Sequence, residues 1–361
     1  MTLLTNLLSY LPGHSGFGSY VRRVLPGIPG QRLLLDPVLG PVCREGELLP
    51  EQVSSSRWLA ILQRLSLAQH GVNVPATLRR AGMTDPSAVY SPYCEVLFAL
   101  PSLPQVITCH DLTPLVFPNS RKASWRYRHW IPCHLHRASR VIAISGFVAD
   151  QLIEAGVPAS RIRIVPNGIT ITAGPHPSPR GSDLLLLARH DGNKNVVHVL
   201  KGFYQFLRRH PRWPGVLWVV GRPGRQSERI HATIRELALE SRVNLQEGLG
   251  SKALADLLAS CCALVSGSLM EGCDYPVLEA MAAGIPALVS DIPVHRELYG
   301  EAASLFSVED AGEDLARKLA DLVEDPSLWQ QLSRAGNACA HRFSLQRQQS
   351  GIMEVMQEVV P

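Results

Sequence analysis

Several common chemistries are missing from this sequence. It has eight cysteines, Cys43, Cys94, Cys109, Cys133, Cys261, Cys262, Cys273 and Cys339, but no CxxC pair. The spacing excludes a zinc ribbon or a redox dithiol, and reduced, mostly buried thiols are the expectation. No Asp-x-Asp occurs, so a metal bridging a diphosphate lacks obvious carboxylate ligands. Neither half carries an intact GxGxxG with an acid about 20 residues on, which argues against a dehydrogenase. No apolar run is long enough to span a bilayer. The opening "MTLLTNLLSYLPG" lacks a positive n-region and a small-residue cleavage site, so it reads as a first strand rather than a signal peptide. Charged residues make up only 18%, against 46% hydrophobic, the balance of a globular chain rather than a disordered one.

What is present points to two α/β domains. At 361 residues the chain is long for one domain and comfortable for two. Up to Thr170 there are 16 Lys and Arg against 9 Asp and Glu; from Ile171 there are 19 against 22. A basic first half and a mildly acidic second half suggest units with different partners. The stretch "ITAGPHPSPRGSD" (171–183) has a linker composition near that change of sign. Around it, short apolar runs ("TLLTNLLSY", "QVITCHD", "RVIAIS", "RIRIVP", then "DLLLLARH", "GVLWVVG", "RVNLQEG", "CCALVSGS", "IPALVSD") alternate with amphipathic segments. Continuous apolar runs followed by helices are the pattern of parallel βα units. Both halves therefore read as doubly wound, Rossmann-like domains, in which ligands sit beyond the carboxyl ends of the strands.

The residues just after each run are the candidates for chemistry. In "SLMEGCDYPVLEAMAAGIP", Pro276 suits the first turn of a helix, Asp274 falls near its N-cap, and Gly284 suits its end. Glu271 then lies in the strand-to-helix loop, and Glu279 about one turn inside the helix. A helix start favours an anion such as a pyrophosphate, and carboxylates beside it make sense as hooks for sugar hydroxyls. A bare pair of glutamates at this spacing is more often a pair of solvated charges. In "LLLLARHDGNKNVVHVLKGF", Arg189 and Lys194 flank a loop from a strand to a helix, where two cations can clamp a diphosphate. Gly16 and Gly18 in "SGFGSYVRRVL" and His110 in "VITCHDLTPLVFP" also follow runs; each alone reads equally well as structural. The segment Asn119–Arg140 holds six Lys and Arg, three His, no acid, and Trp125, Tyr127 and Trp130. It suits an anionic membrane surface, nucleic acid phosphates, or a helix packing its aromatics.

The stretch from Glu271 to Glu297, "EGCDYPVLEAMAAGIPALVSDIPVHRE", resembles the E-x7-E signature of the family-4 (group 1) retaining glycosyltransferases of the GT-B fold, mannosyltransferase-like members included. Cys273 departs from the usual aromatic, and Ala188 from the usual Gly before the Arg. The resemblance implies two Rossmann-like domains facing across a cleft: an acceptor domain (1–170), a nucleotide-sugar domain (171–342) and a C-terminal helix (343–361) returning to the first. It implies that Arg189 and Lys194 hold the leaving diphosphate, Glu271 the sugar, and Glu279 the ribose. His110 would stand near the transferred sugar, with Asp111 beside it. Donor contacts would also come from Gly16, Gly18, Gly248, Leu249, Gly272, Cys273, Asp274, Tyr275, Pro276 and Val277.

The activity implied is transfer of a hexose, mannose among the candidates, from a GDP- or UDP-sugar to a glycan or lipid-linked hydroxyl. Configuration would be retained by front-face attack, with no metal and no cofactor. The resemblance favours a membrane over nucleic acid for Asn119–Arg140, and a cytoplasmic enzyme peripheral on the inner face of the plasma membrane. The alternatives are a nucleotide-sugar epimerase, a phosphorylase or another enzyme of the same fold, or a non-catalytic sugar-binding homologue.

Overall fold

The computed structural model describes residues 2–10, 16–36, 39–45, 68–83, 85–118 and 120–360. The chain forms two compact units, Met1–Gly168 together with Leu345–Pro361, and Ile169–Ser344.

The first unit is built on a seven-stranded sheet. Its strands are β1 (Leu3–Leu7), β2 (Gln31–Asp36), β3 (Gly40–Arg44), β4 (Ala88–Ser91), β5 (Gln105–Cys109), β6 (Arg140–Ala143) and β7 (Ile162–Ile164), in the order 3-2-1-4-5-6-7. All pairings are parallel except β2 with β3, which run antiparallel as an edge hairpin. β1, β4 and β5 are buried along their whole length, as parallel strands covered on both faces must be.

The last helix, Leu345–Gln357, belongs to this unit. It buries Ile352, Val355 and Met356. Gln348 accepts from the Gly168 amide (2.8 Å) and donates to Asn167 (3.2 Å), and Glu358 pairs with Arg140 (2.9 Å) and Arg163 (2.8 Å).

The second unit carries β8 (Leu184–Leu187), β9 (Leu217–Val220), β10 (Val243–Gln246), β11 (Ala263–Ser266), β12 (Ala287–Ser290) and β13 (Ser304–Phe306), all parallel, in the order 10-9-8-11-12-13. The order reverses between β8 and β11. In a doubly wound sheet the crevice beyond the carboxyl ends of those two strands is the ligand position. Phe203, Phe206, Phe306 and Trp329 fill the core on one side of this sheet. β2, β3, β4 and β13 fall outside the apolar runs read from the sequence; β3 and β13 are only partly buried, so their apolar signal is weak.

The basic and aromatic segment is helical. Asn119, its first residue, lies outside the described residues. Arg121–Trp125 is capped by Ser120, Arg126–Trp130 is a π turn, and Ile131–Arg137 continues as an α-helix. Its faces differ. Trp130 packs edge-on against His70 (5.2 Å) and His134 (5.6 Å), whereas Trp125 is 59% exposed beside Arg121, Lys122 and Arg128.

His134 is fully buried, and its Nδ1 accepts the Val96 amide (3.0 Å), a bond available only to a neutral ring. Burial, with His70 and Arg126 nearby, brings its pKa down to about 4. An unfolded histidine titrates near 6.5, so on acidification the unfolded chain takes the proton first. The stabilisation is complete above about pH 6.5 and is lost toward pH 4, about 3 kcal/mol in all. Urea midpoints of the first unit should fall between pH 7 and pH 5, and less steeply for His134→Gln. Equal slopes would refute the assignment.

Candidate active site

The site grows from the two loops at the switch point of the second sheet. The β8 loop runs Ala188–Asn195. Gly192–Lys194 makes a short turn, and Asn195 enters the helix Val196–Arg209 in the left-handed region (φ 49°). The β11 loop, Gly267–Asp274, enters the helix Tyr275–Ala282 with Pro276 in its first turn. The loops are tied: the Leu269 amide donates to the Asn193 carbonyl (2.7 Å). Gly267 permits the approach, because a Cβ there would stand 2.6 Å from Val199 Cγ2. At the far end of the helix Gly284 is left-handed (φ 71°), as expected of a helix stop.

These loops deliver three sequence candidates to one place. Lys194 Nζ lies 2.6 Å from Glu271 Oε1 and 3.8 Å from Asp274 Oδ1. Asp274 occupies the N-cap, but its side chain makes no capping bond. Its backbone is left-handed (φ 61°), and the carboxylate turns inward, where Ser266 donates to Oδ2 (2.5 Å) and His295 Nε2 lies 3.3 Å away. An Asp in that backbone region costs on the order of 1–2 kcal/mol, which the inward bonds offset. Tyr299, from the helix Pro293–Tyr299, donates to the Cys273 carbonyl and fixes the turn from the other side.

The electrostatics follow from burial. Desolvation alone would raise the Asp274 carboxyl, but Lys194, His295 and Ser266 hold it well below the usual carboxylate range. Glu271 moves the other way: burial raises it, the neighbouring Asp274 adds to that, and Lys194 only partly compensates. The site therefore contains one lysine shared between a firmly ionised carboxylate and a second one that protonates more readily.

Other candidates stand elsewhere. Arg189 is not in the lysine cluster; its side chain is 55% exposed and pairs with Asp191 (3.0 Å). Glu279 sits one turn into the helix, half-buried. Gly248 and Leu249 follow β10, the glycine exposed. Gly272 and Val277 are buried, and Tyr275 and Pro276 half-buried. Cys273 is buried with its thiol 3.6 Å from the Tyr299 hydroxyl, so it packs against an aromatic supplied by another helix.

Gly16 and Gly18 lie in the first turn of the helix Gly16–Val24. His110, also in the first unit, donates from Nε2 to the Pro92 carbonyl (2.8 Å), with Tyr20 edge-on at 4.4 Å. A carbonyl only accepts, so the other ring nitrogen is left as the acceptor of a neutral imidazole. Burial lowers the His110 pKa even though Pro92 and Asp111 oppose it. Asp111 accepts from the Thr113 amide (2.9 Å) at the start of a short helix.

Two family models match along this frame, "Glycosyltransferase Family 4" over residues 49–173 and "Glycosyl transferases group 1" over residues 176–338. The chain belongs to the group 1 glycosyltransferases. Its relatives include the O-antigen chain mannosyltransferase RfbU of Salmonella typhimurium, 24% identical over 210 residues, covering 57% of each chain. Another is the GDP-mannose:cellobiosyl-diphosphopolyprenol alpha-mannosyltransferase of Xanthomonas oryzae, 31% identical over 166 residues, covering 45% of this chain and 43% of the relative. The chain thus spans about half the length of these curated relatives. Among solved structures, Anabaena Alr3699/HepE in complex with UDP and glucose superposes with a TM-score of 0.73 at 18% identity, over 99% of this chain and all of that one. Sucrose-phosphate synthase from Thermosynechococcus elongatus gives 0.74 at 18% identity, over 99% of each. The fold of this group 1 glycosyltransferase is GT-B.

His295, Ser266 and Tyr299 were not found by sequence reasoning. His295 stands inside the "SDIPVHRE" stretch that carries the resemblance, but nothing in the chain shows that it meets Asp274 21 residues earlier.

Proposed function

We propose that the protein transfers a hexose, mannose first among the candidates, from a nucleotide-diphosphate sugar to a hydroxyl of a glycan or lipid-linked acceptor, with retention of configuration. The observation that carries the reading is the position of Lys194, held by Glu271 and Asp274 at the start of the helix Tyr275–Ala282 beside the switch point. A cation and a helix start converging there suit a leaving diphosphate. The mannosyltransferase names among the relatives favour a GDP-linked donor, while the UDP complexes among the fold neighbours keep UDP in contention.

In this mechanism Lys194 and Arg189 stabilise charge on the departing phosphate oxygen, which takes the proton of the attacking hydroxyl on the same face. Glu271 holds the sugar, Glu279 the ribose hydroxyls, and neutral His110 accepts a hydrogen bond from a hydroxyl. The lysine supplies the charge that a bridging metal would otherwise bring, so turnover should persist in a chelator.

Thermal unfolding with UDP-, GDP- and ADP-sugars tests the donor. A ligand at 100 times its Kd stabilises by about 2.7 kcal/mol, so one nucleotide series should raise Tm clearly. No shift with any of them would sink the reading.

The exposed face of the basic helix, with Trp125, Arg121, Lys122 and Arg128, fits an anionic lipid surface near the acceptor. No helix among the described residues is long and apolar enough to cross a membrane. Vesicles with phosphatidylglycerol should co-sediment the protein, and Arg121→Glu with Lys122→Glu should release it. Equal sedimentation with neutral vesicles would remove this part.

A further inference from the structure

Three buried hydroxyls stand behind His110 in the first unit. Tyr20 from the helix Gly16–Val24, Tyr90 from β4 and Thr108 from β5 are all fully buried. Their oxygens close a triangle: Tyr20 to Tyr90 2.9 Å, Tyr90 to Thr108 3.0 Å, and Thr108 to Tyr20 3.3 Å. A hydroxyl has one hydrogen and free lone pairs, so each can donate once and accept once around the triangle. Buried polar groups need such partners, and here the three supply one another. The triangle pins the far end of the Tyr20 ring to two neighbouring strands.

The near side of that ring meets His110. The centroids are 4.4 Å apart and the planes cross at 87°. Thr108 stands two residues before His110, and Tyr90 two before Pro92. Carried just past the strand ends, the alternation of a strand turns each pair to one side of the sheet. Tyr20 lies across both strands there. Phe17, on the same helix, is also edge-on to the imidazole, 5.9 Å away. The Pro92 carbonyl accepts from Nε2 (2.8 Å), so a half-turn of the ring would break that bond. Nδ1 has no partner among the described residues, and the ring keeps some surface open. A bare ring nitrogen accepts a hydrogen and meets the lone pairs of an ionised phosphate unfavourably, so the group it suits is a hydroxyl, as sugars carry.

We propose that Tyr20 is a positioning residue for His110: pinned by Tyr90 and Thr108, it fixes the plane of the imidazole so that Nδ1 is presented to a substrate hydroxyl. This rests on the transferase reading above. Tyr20 has no exposed surface with which to touch a substrate, and it acts through the imidazole. The other titratable side chains at this end of the sheet are Tyr93, Cys94, Glu95, Cys109, Asp111 and Tyr127. Of these only Asp111 acts on the His110 charge, and burial outweighs it.

A double-mutant cycle on the full-length protein tests the proposal. Tyr20→Phe keeps the ring and loses the pinning hydroxyl. It should lower kcat about tenfold, less than the roughly 10²-fold that a 1 Å misplacement can cost, with the donor KM unchanged. In a His110→Ala background the same substitution should change kcat by less than about twofold, because nothing is left to position. Equal losses in both backgrounds, as a purely structural role would give, or an unchanged kcat in Tyr20→Phe alone, would overturn the proposal. The second readout needs no substrate. His110, titrated by NMR, should have its midpoint below the ordinary histidine value in the wild-type chain, and Tyr20→Leu, which admits water to the ring, should raise it. An unmoved midpoint would remove the contact on which the role stands. Should the wild-type chain turn over no nucleotide sugar while the titration behaves this way, the transferase reading fails, and the positioning role with it, while the packing of the two rings stands.

Discussion

Replacing Lys194 by Ala is expected to lower kcat/KM by about 10²–10³-fold, the usual loss when one preorganised group is removed from a developing negative charge. The geometry makes the loss larger than a missing contact. Lys194 is the cation set between Glu271 and Asp274; without it both carboxylates would confront the diphosphate of the proposed donor. Breaking a buried ion pair from one side costs about 3–5 kcal/mol when the orphaned charge stays ionised. Here the stability loss should be smaller, because burial already raises the Glu271 pKa and the group can take up a proton. The double variant Lys194→Ala/Glu271→Gln separates the effects. Its urea midpoint should return toward wild type while its turnover does not. Steady-state rates with the donor found by thermal screening provide the check, and undiminished turnover in Lys194→Ala would end the diphosphate assignment.

The largest stability effect is expected at Trp329. It is 1% exposed in the core of the second unit, and its Nε1 donates to the Cys262 carbonyl (2.8 Å) at the edge of β11. Trp329→Ala removes the ring and opens a cavity, a change worth about 3–5 kcal/mol. The abandoned carbonyl adds on the order of 1–3 kcal/mol when no water replaces the bond. Trp329→Phe keeps most of the ring and loses only the donor, so it should cost the smaller amount. Two units need not unfold as one, and each transition has to be fitted separately. The loss belongs to the second unit's transition, and a transition unmoved by Trp329→Ala would contradict the core described above.

The sequence displayed most of its buried parallel strands, though β2 and the four-residue β4, also buried, went unread. "DLLLLARH" and "CCALVSGS" became β8 and β11, which are also the strands that frame the site. Half-exposed strands were less visible: "GPVCR" carries Pro, Gly and a charge, and needs β2 as its partner to form an edge. Lys194 and Glu271 could be nominated because strand-to-helix loops are where doubly wound sheets hold ligands. Their 2.6 Å contact depends on two loops 77 residues apart, and no periodicity reports that. Asp274 is the instructive case. Its position before Pro276 reads as a helix cap, and it does occupy the cap. A left-handed backbone then turns the carboxylate away from the helix, where the Ser266 hydroxyl donates to it and the Lys194 charge lies 3.8 Å away, contacts that outcompete a local amide.

The helix Leu345–Gln357 completes a unit whose other residues end at Gly168. During synthesis this reverses the usual order, in which the amino-terminal domain folds first. The second unit, Ile169–Ser344, is complete in sequence before the last helix has been made. Until then the surface that will cover Ile352, Val355 and Met356 stays open, and Asn167 and Gly168 lack Gln348. The nascent first unit is the one that waits, and a chain truncated near residue 344 would carry a complete second unit beside an incomplete first one.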